Sequence, residues 1–469
     1  MTDVEKDLIA KVVGRVIREM TSRDVGQQVL STEGIFADMD SAVMAAAEAQ
    51  RSFMGCRMAD RRRFVEAIRR VVLAPDNLEY MSRSTVEETG MGDVEHKVLK
   101  NRVAAESTPG VEDLVTDAWS GDDGLTTVES SPYGVIGAIT PTTNPTETVI
   151  CNSIGMIAAG NSVVFSPHPR AKKITIWLIR EINKALAAEG APENLVVTVE
   201  EPSIENTTKM MEHKLVRMLV ATGGPGIVKT VMSSGKKAVG AGAGNPPVVV
   251  DATADIEKAA KDIVDGASFD NNLPCTSEKE LIAVDAIADL LRFEMAKVGA
   301  HEITDPGELH RLEDLVLNEK KRPRSEWIGQ NAKAILDAIG VTYRKGSRLV
   351  LVQVEKDHPF VQHELMMPIL PLVRVPDVDQ AIDLAISVEH GNRHTAIMHS
   401  RDITKLTKMG RLIQTTIYVK NGPSYAGIGI GGEGFGTFTI AGPTGEGLTS
   451  ARTFARRRRC VLVGDLNVR

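Results

Sequence analysis

Cys275 stands in Phe269-Asp270-Asn271-Asn272-Leu273-Pro274-Cys275-Thr276-Ser277-Glu278, a polar loop just ahead of an apolar, strand-like run. A thiol there can serve as a nucleophile once it ionises. A lone cysteine is equally a small buried apolar residue, and spacing leaves both readings open. Asn144 follows Gly134-Val135-Ile136-Gly137-Ala138-Ile139-Thr140-Pro141-Thr142-Thr143 and precedes Pro145. Its amide can donate to an oxygen that gains negative charge; the plainer alternative is an Asn-Pro turn. Thr222-Gly223-Gly224-Pro225-Gly226 lies between a strand-like and a helix-like run, so its amides can face a phosphate. Gly240-Ala241-Gly242-Ala243-Gly244-Asn245-Pro246-Pro247 is rich in glycine, yet prolines stand where a helix should begin. It fails the Gly-x-Gly-x-x-Gly dinucleotide test, although it can bring backbone close to a ligand.

These residues need elements to hold them. Apolar runs predict strands over 135–140, 163–166, 195–199, 215–221 and 248–250, with helices over 148–159 and 171–188. A second alternating series has strands over 281–284, 349–354, 370–375, 395–398 and 415–419 and a helix over 286–297. Strands alternating with helices predict an α/β fold with parallel sheets covered on both faces. Loops at strand C-termini, such as the one holding Asn144, are where such sheets bind ligands. Residues 38–105 read as helical, with Asp40 as a cap for the alanine-rich stretch to Phe53 and a second helix over 59–73. The charged stretch 306–327 reads as superficial, and Arg456 to Arg459 as the charged rim of an edge strand. Val4, Leu8, Val12, Val16 and Met20 form one helical stripe, with Thr2 and Glu5 as a capping box. That helix either packs on its own domain or docks as a peptide on a partner.

The chain of 469 residues is long enough for two or three domains. Its 42% apolar and 25% charged residues are ordinary for a soluble enzyme. With Lys plus Arg at 55 and Asp plus Glu at 62, the net charge of −7 gives no support for nucleic-acid binding. The four cysteines, Cys56, Cys151, Cys275 and Cys460, show neither metal-ligand nor redox spacing, so no metal is expected. A reducing cytosol is the default compartment. No apolar run approaches the roughly 18 to 20 residues of a membrane span, and the N-terminus lacks the apolar core of a secretory signal.

Taken in order, these segments resemble the aldehyde dehydrogenase superfamily. The sequence runs through an Asn-Pro loop, Phe165-Ser166-Pro167, a Thr-Gly-Gly turn, a glycine loop, a cysteine and Glu364-Leu365-Met366-Met367-Pro368. It is most similar to the coenzyme-A-acylating branch of ethanolamine- and propanediol-utilisation microcompartments. Glu88-Thr89-Gly90-Met91-Gly92, Ser166-Pro167-His168-Pro169, Gly266 to Asn272 and Gly431-Gly432-Glu433-Gly434 carry that likeness. The resemblance implies a Rossmann-like cofactor domain over 25–240, interrupted by an oligomerisation strand at 124–134. A catalytic domain over 241–445 and a C-terminal oligomerisation segment over 446–469 complete a small β flap, which implies homodimers or homotetramers. Residues 1–20 resemble an encapsulation helix that docks on shell proteins, placing the enzyme in the cytoplasm inside a microcompartment.

The resemblance also implies roles. Cys275 would attack a short-chain aldehyde, propanal or acetaldehyde, while Asn144 and the Cys275 amide hold the oxyanion. NAD would lie along Thr140, Pro141, Thr142, Ser166, Pro167, His168, Thr222, Gly223, Gly224, Gly242 and Ala243, with Glu364 at the nicotinamide ribose. Hydrolytic relatives carry a glutamate just before the paired glycines of the glycine loop, whereas Val239-Gly240-Ala241-Gly242-Ala243-Gly244 has no carboxylate. Without that base, water should attack a thioester slowly, and the thiol of coenzyme A should take its place. The expected reaction is therefore reversible, CoA-dependent acylation. A hydrolytic enzyme and a non-catalytic scaffold of the same fold are the alternatives.

Overall fold

The computed structural model describes residues 33–464. Three sheets organise them. The first contains β1 (Ile35–Phe36), β4 (Val135–Ile139), β5 (Ser162–Ser166), β6 (Val196–Val199), β7 (Val216–Thr222) and β8 (Lys237–Ala241), in the order β1-β6-β5-β4-β7-β8. Every pairing is parallel. The second contains β9 (Pro247–Val250), β10 (Glu280–Val284), β11 (Ala300–Ile303), β12 (Leu349–Gln353), β13 (Ile369–Val375), β14 (Thr395–His399) and β15 (Ile417–Lys420), in the order β11-β12-β13-β10-β9-β14-β15. It too is parallel throughout. The strands β4, β5, β6, β9 and β10 are buried along their whole lengths. Burial on both faces explains why they read as continuous apolar runs and not as alternating ones.

The third sheet is small and antiparallel: β2 (Asp117–Gly121), β3 (Gly124–Pro132) and β18 (Ala455–Val463), with β18 on one edge. Arg456 to Arg459 lie exposed on that edge. A short hairpin, β16 (Ile440–Ala441) with β17 (Gly447–Leu448), closes the set.

Four helices, Met39–Phe53, Met58–Leu73, Pro75–Thr89 and Val94–Ser107, fill the early segment. Asp38 caps the first by accepting from the Ser41 amide at 2.8 Å, while Asp40 lies inside the first turn. An acidic residue in that turn suits the helix dipole but is not the cap. The stretch 306–327 is not merely superficial. It contains the helix Pro306–Val316, and Leu312, Val316 and Leu317 are buried in a core with Ile335, Leu336 and Phe360. Charge on the outer face hid that stripe. The helix after β4 starts at Pro145, ahead of the predicted 148, because proline suits the first turn of a helix.

The two large sheets present opposite ends to one place. In the first, the chain leaves β4 toward β5 on one side and lies beside β7 on the other, so strand order reverses at β4. Such a switch point leaves a crevice at the strand C-termini. The second sheet faces it with the N-terminal approaches of β9, β10, β13 and β14. Residues 242–246 cross directly from the end of β8 to the start of β9.

Candidate active site

The crevice between the sheets is a cavity of about 720 Å³, within the usual range for a ligand site. The C-terminal end of β4 places Thr140, Pro141, Thr142 and Asn144 on its wall. The end of β5 contributes Ser166, Pro167 and His168, and the end of β7 contributes Thr222, Gly223 and Gly224. Gly242 and Ala243 come from the crossing between the sheets; Cys275, Glu364 and His394 come from the segments that lead into β10, β13 and β14. Every site residue singled out in the sequence therefore lies on one wall system. His394 was not singled out, because a lone histidine ahead of a strand carries no local signal.

The glycine-rich run divides differently from its reading as one loop. Gly240 and Ala241 belong to β8, and only 242–246 form the connection. A side chain at Gly244 would meet the Cys275 carbonyl oxygen at 2.8 Å and His394 Cγ at 3.0 Å. Lack of a Cβ is what lets the crossing chain lie against the cysteine backbone.

Cys275, itself half-buried, follows a mostly buried polar turn. Asp270, Asn271 and Asn272 all have left-handed backbones, with φ of 48°, 53° and 64°. Asx residues tolerate that conformation best, yet three in a row need outside support. Asn271 Nδ2 donates to the Gly92 and Gly329 carbonyls at 3.0 and 2.9 Å. Asn272 Nδ2 donates to those of Ala267 and Glu278 at 2.8 and 3.0 Å. Lys279 Nζ, buried, donates to Asn272 Oδ1 at 2.7 Å and the Asn272 carbonyl at 2.8 Å.

Asp270 is held by a cluster that sequence reading missed. Its Oδ2 accepts from Lys97 Nζ at 2.9 Å and from Lys100 Nζ at 2.5 Å. Lys100 Nζ also lies 2.9 Å from Glu147 Oε1 and donates to Asn144 Oδ1 at 2.5 Å. All four charged side chains are buried. Burial pushes the Lys100 ammonium down, but Asp270 and Glu147 outweigh it and hold it charged. Burial lowers Lys97. On the helix Val94–Ser107 the two lysines resemble an ordinary solvated pair. The available signal was that this helix lacks a clean apolar stripe although other helices surround it.

The cavity is electrostatically uneven. Burial, with help from the Glu364 carboxylate, pushes the Cys275 thiol up to about 12, while Lys279 opposes the rise. Burial pushes Glu364 up to about 7; among the described residues on this wall it is the one carboxylate. His394 falls to about 4 through burial and the Lys279 charge. Its Nδ1 pairs with Thr395 Oγ1 at 2.8 Å, and its buried Nε2 has no partner. Thr140 Oγ1 and Glu364 Oε1 are likewise buried without a hydrogen-bond partner, although Glu364 Oε1 lies 4.0 Å from Lys279 Nζ. Polar atoms left without a hydrogen bond at a cavity wall are available to one brought by a ligand or water. The wall at Gly224 is open, and Gly224 caps the helix Pro225–Met232, so this end fits an anionic phosphate group.

Among the described residues no group of His, Cys, Asp and Glu is arranged to hold a metal ion. No described helix is long and apolar enough to cross a membrane. The four cysteines are unpaired.

Comparison with known proteins agrees with this architecture. The chain is 49% identical over 441 residues to a CoA-propanoylating propanal dehydrogenase of Salmonella typhimurium, a span of 93% of this chain and 94% of that protein. It superposes with a TM-score of 0.92 on the crystal structure of a Rhodopseudomonas palustris propionaldehyde dehydrogenase with bound CoA and an acylated cysteine. Identity there is 68%, covering 93% of this chain and 100% of that one. A propionaldehyde dehydrogenase from the fucose-utilisation microcompartment of Clostridium phytofermentans superposes with a TM-score of 0.91 at 50% identity, covering 93% and 100%. Residues 15–438 match the aldehyde dehydrogenase family as a whole. By fold, by sequence and by the ordered motifs around one cavity, the chain belongs to the aldehyde dehydrogenase family.

Proposed function

We propose that the chain is an NAD-dependent, CoA-acylating dehydrogenase of short-chain aldehydes, with Cys275 as nucleophile. The observation that carries this reading is the composition of the cavity: Cys275 and Asn144 share it, and the crossing 242–246 that passes the cysteine brings no carboxylate. The named relatives act on propanal, which supports an aldehyde of that size.

Cys275 Sγ forms a bond to the aldehyde carbon, and because the resting group is a thiol its proton passes to the neutral His394 imidazole as the bond forms. The oxygen that gains charge accepts from Asn144 Nδ2 and from the Cys275 amide. Two such donors in a dry site stabilise the charge strongly. The nicotinamide, when bound, supplies the acceptor for the hydride that turns the thiohemiacetal into a thioester. Thr140 and Ser166 would line its cleft, Gly224 would face a phosphate of the cofactor, and Glu364 would contact the nicotinamide ribose. The neutral His394 imidazole, with Nε2 free, can take a thiol proton. The thiol of coenzyme A then displaces Cys275 and leaves as acyl-CoA. One thioester replaces another, so the step runs in both directions.

The proposed cofactor domain, 25–240, and catalytic domain, 241–445, meet within β8, just ahead of the crossing between sheets. The β18 edge, where Val461, Leu462 and Val463 are exposed, supports self-association into dimers or tetramers. The encapsulation helix over 1–20 lies outside the described residues; a microcompartment relative supports its docking on shell proteins and a location inside a cytoplasmic microcompartment.

Glu364 gives one specific reason to weigh hydrolysis, since a carboxylate near 7 can activate water. Withholding coenzyme A separates the two. We expect one NADH per Cys275 and then arrest, and sustained turnover at an undiminished rate would establish hydrolysis. Cys275→Ala should bind NAD and melt as the wild type while forming no acyl-CoA; a near-normal rate would mean another nucleophile.

A further inference from the structure

We propose that Lys100 is a positioning residue for the oxyanion contact: its ammonium fixes the Asn144 amide with Oδ1 turned inward and Nδ2 turned toward the Cys275 cavity. This rests on the reading of Asn144 given above.

Asn144 occupies the N-cap of the helix Pro145–Ala158, a position where an Asn side chain normally accepts from the helix's own amides. Here it makes no such bond. Its Oδ1 instead accepts from Lys100 Nζ at 2.5 Å. An ammonium carries three donors and no acceptor, so only the oxygen of the amide can face it. The NH2 group must then point the other way, where it meets Thr143 Oγ1 at 3.2 Å and keeps a second hydrogen for the cavity.

Lys100 is held by buried groups on several sides. Its partners are Asn144 Oδ1, Glu147 Oε1 and Asp270 Oδ2, and the Phe438 ring lies over Nζ at 5.8 Å. Two hydrogen bonds and one ion pair hold the ammonium, so the side chain cannot swing away without leaving buried charge unpaired. Asp270 belongs to the left-handed turn that leads to Cys275, and Glu147 to the helix that starts after Asn144. One ammonium therefore ties the oxyanion donor to the turn that carries the nucleophile. It also polarises the amide: positive charge at Oδ1 makes the opposite N–H a stronger donor.

The test is a double-mutant cycle on the full-length enzyme, reading kcat for acyl-CoA formation and the Kd for NAD. Asn144→Ala should lower kcat by about 100-fold or more, the usual effect of losing an oxyanion donor. Lys100→Met should lower kcat at least tenfold and leave the NAD Kd within about twofold. Added to Asn144→Ala, Lys100→Met should lower kcat less than about twofold further, because no amide remains to position. Should Lys100→Met fail to fold, Lys100→Met/Glu147→Gln repeats the cycle with no unpaired buried charge, since Asp270 keeps Lys97. Equal losses from the lysine change with and without Asn144 would overturn the positioning role and leave the Asn144 reading intact. An Asn144→Ala enzyme with normal kcat would overturn both.

Discussion

Cys275 and Glu364 share a cavity, and their protons are linked. A carboxylate near a thiol disfavours the thiolate, so the Glu364 charge adds to the rise that burial imposes on Cys275. Glu364→Gln removes that charge. The Cys275 pKa should fall, and each unit of fall raises the thiolate fraction about tenfold at a fixed pH below it. Alkylation of Cys275 by iodoacetamide, followed by mass spectrometry across a pH series, should be faster in Glu364→Gln, with its profile moved to lower pH. Slower labelling would show that Glu364 removes the thiol proton. Glu364 was legible in the sequence because it sits in an ordered motif, Glu364 to Pro368. Lys100 was not, because its meaning depends on Asp270 and Glu147, which lie 170 and 47 positions away in the chain. Sequence spacing shows neither partner, and an unpaired lysine reads as solvated.

The elements were easier to read than their ends. Buried parallel strands such as β4 and β5 announce themselves as apolar runs, and the proposed ranges differ from the observed ones by a residue or two. The Cys275 turn and the crossing from β8 to β9 were less legible, since both are set by side-chain bonds and close approach instead of periodicity. Gly244 shows the point. An alanine there drives its Cβ to 2.8 Å from the Cys275 carbonyl, so the nucleophile's backbone or the crossing must move. Gly244→Ala should therefore fold, with a loss of about 1 to 3 kcal/mol typical of overpacking. Its kcat should fall at least tenfold, because a misplacement of order an ångström is felt strongly in the reaction. Thermal melts and steady-state kinetics together check this; full activity would mean the crossing yields without disturbing Cys275.

At the scale of the molecule, two parallel sheets face one cavity with opposite ends, and neither half holds the reacting groups alone. The resemblance in the sequence made this arrangement legible as a family, whereas the facing of C-terminal against N-terminal strand ends is a product of the crossing at 242–246. The proposed encapsulation helix makes a separate prediction. Removing residues 1–20 should leave kcat and melting temperature unchanged and abolish co-purification with shell proteins. Loss of activity or of fold would assign that helix to the domain body.

The small antiparallel sheet also sets an order of events. Its middle strand, β3, is complete by Pro132, but its neighbour β18 begins only at Ala455 and pairs with it from Ala455↔Pro132 to Val463↔Gly124. During synthesis more than 300 residues must emerge between the two strands, and β3 waits for its neighbour throughout that time. Until then β3 has an open edge, which is a site for wrong pairing. The outer edge of β18 does not exist until Ala455 to Val463 have emerged, so the proposed assembly through it must wait for those residues.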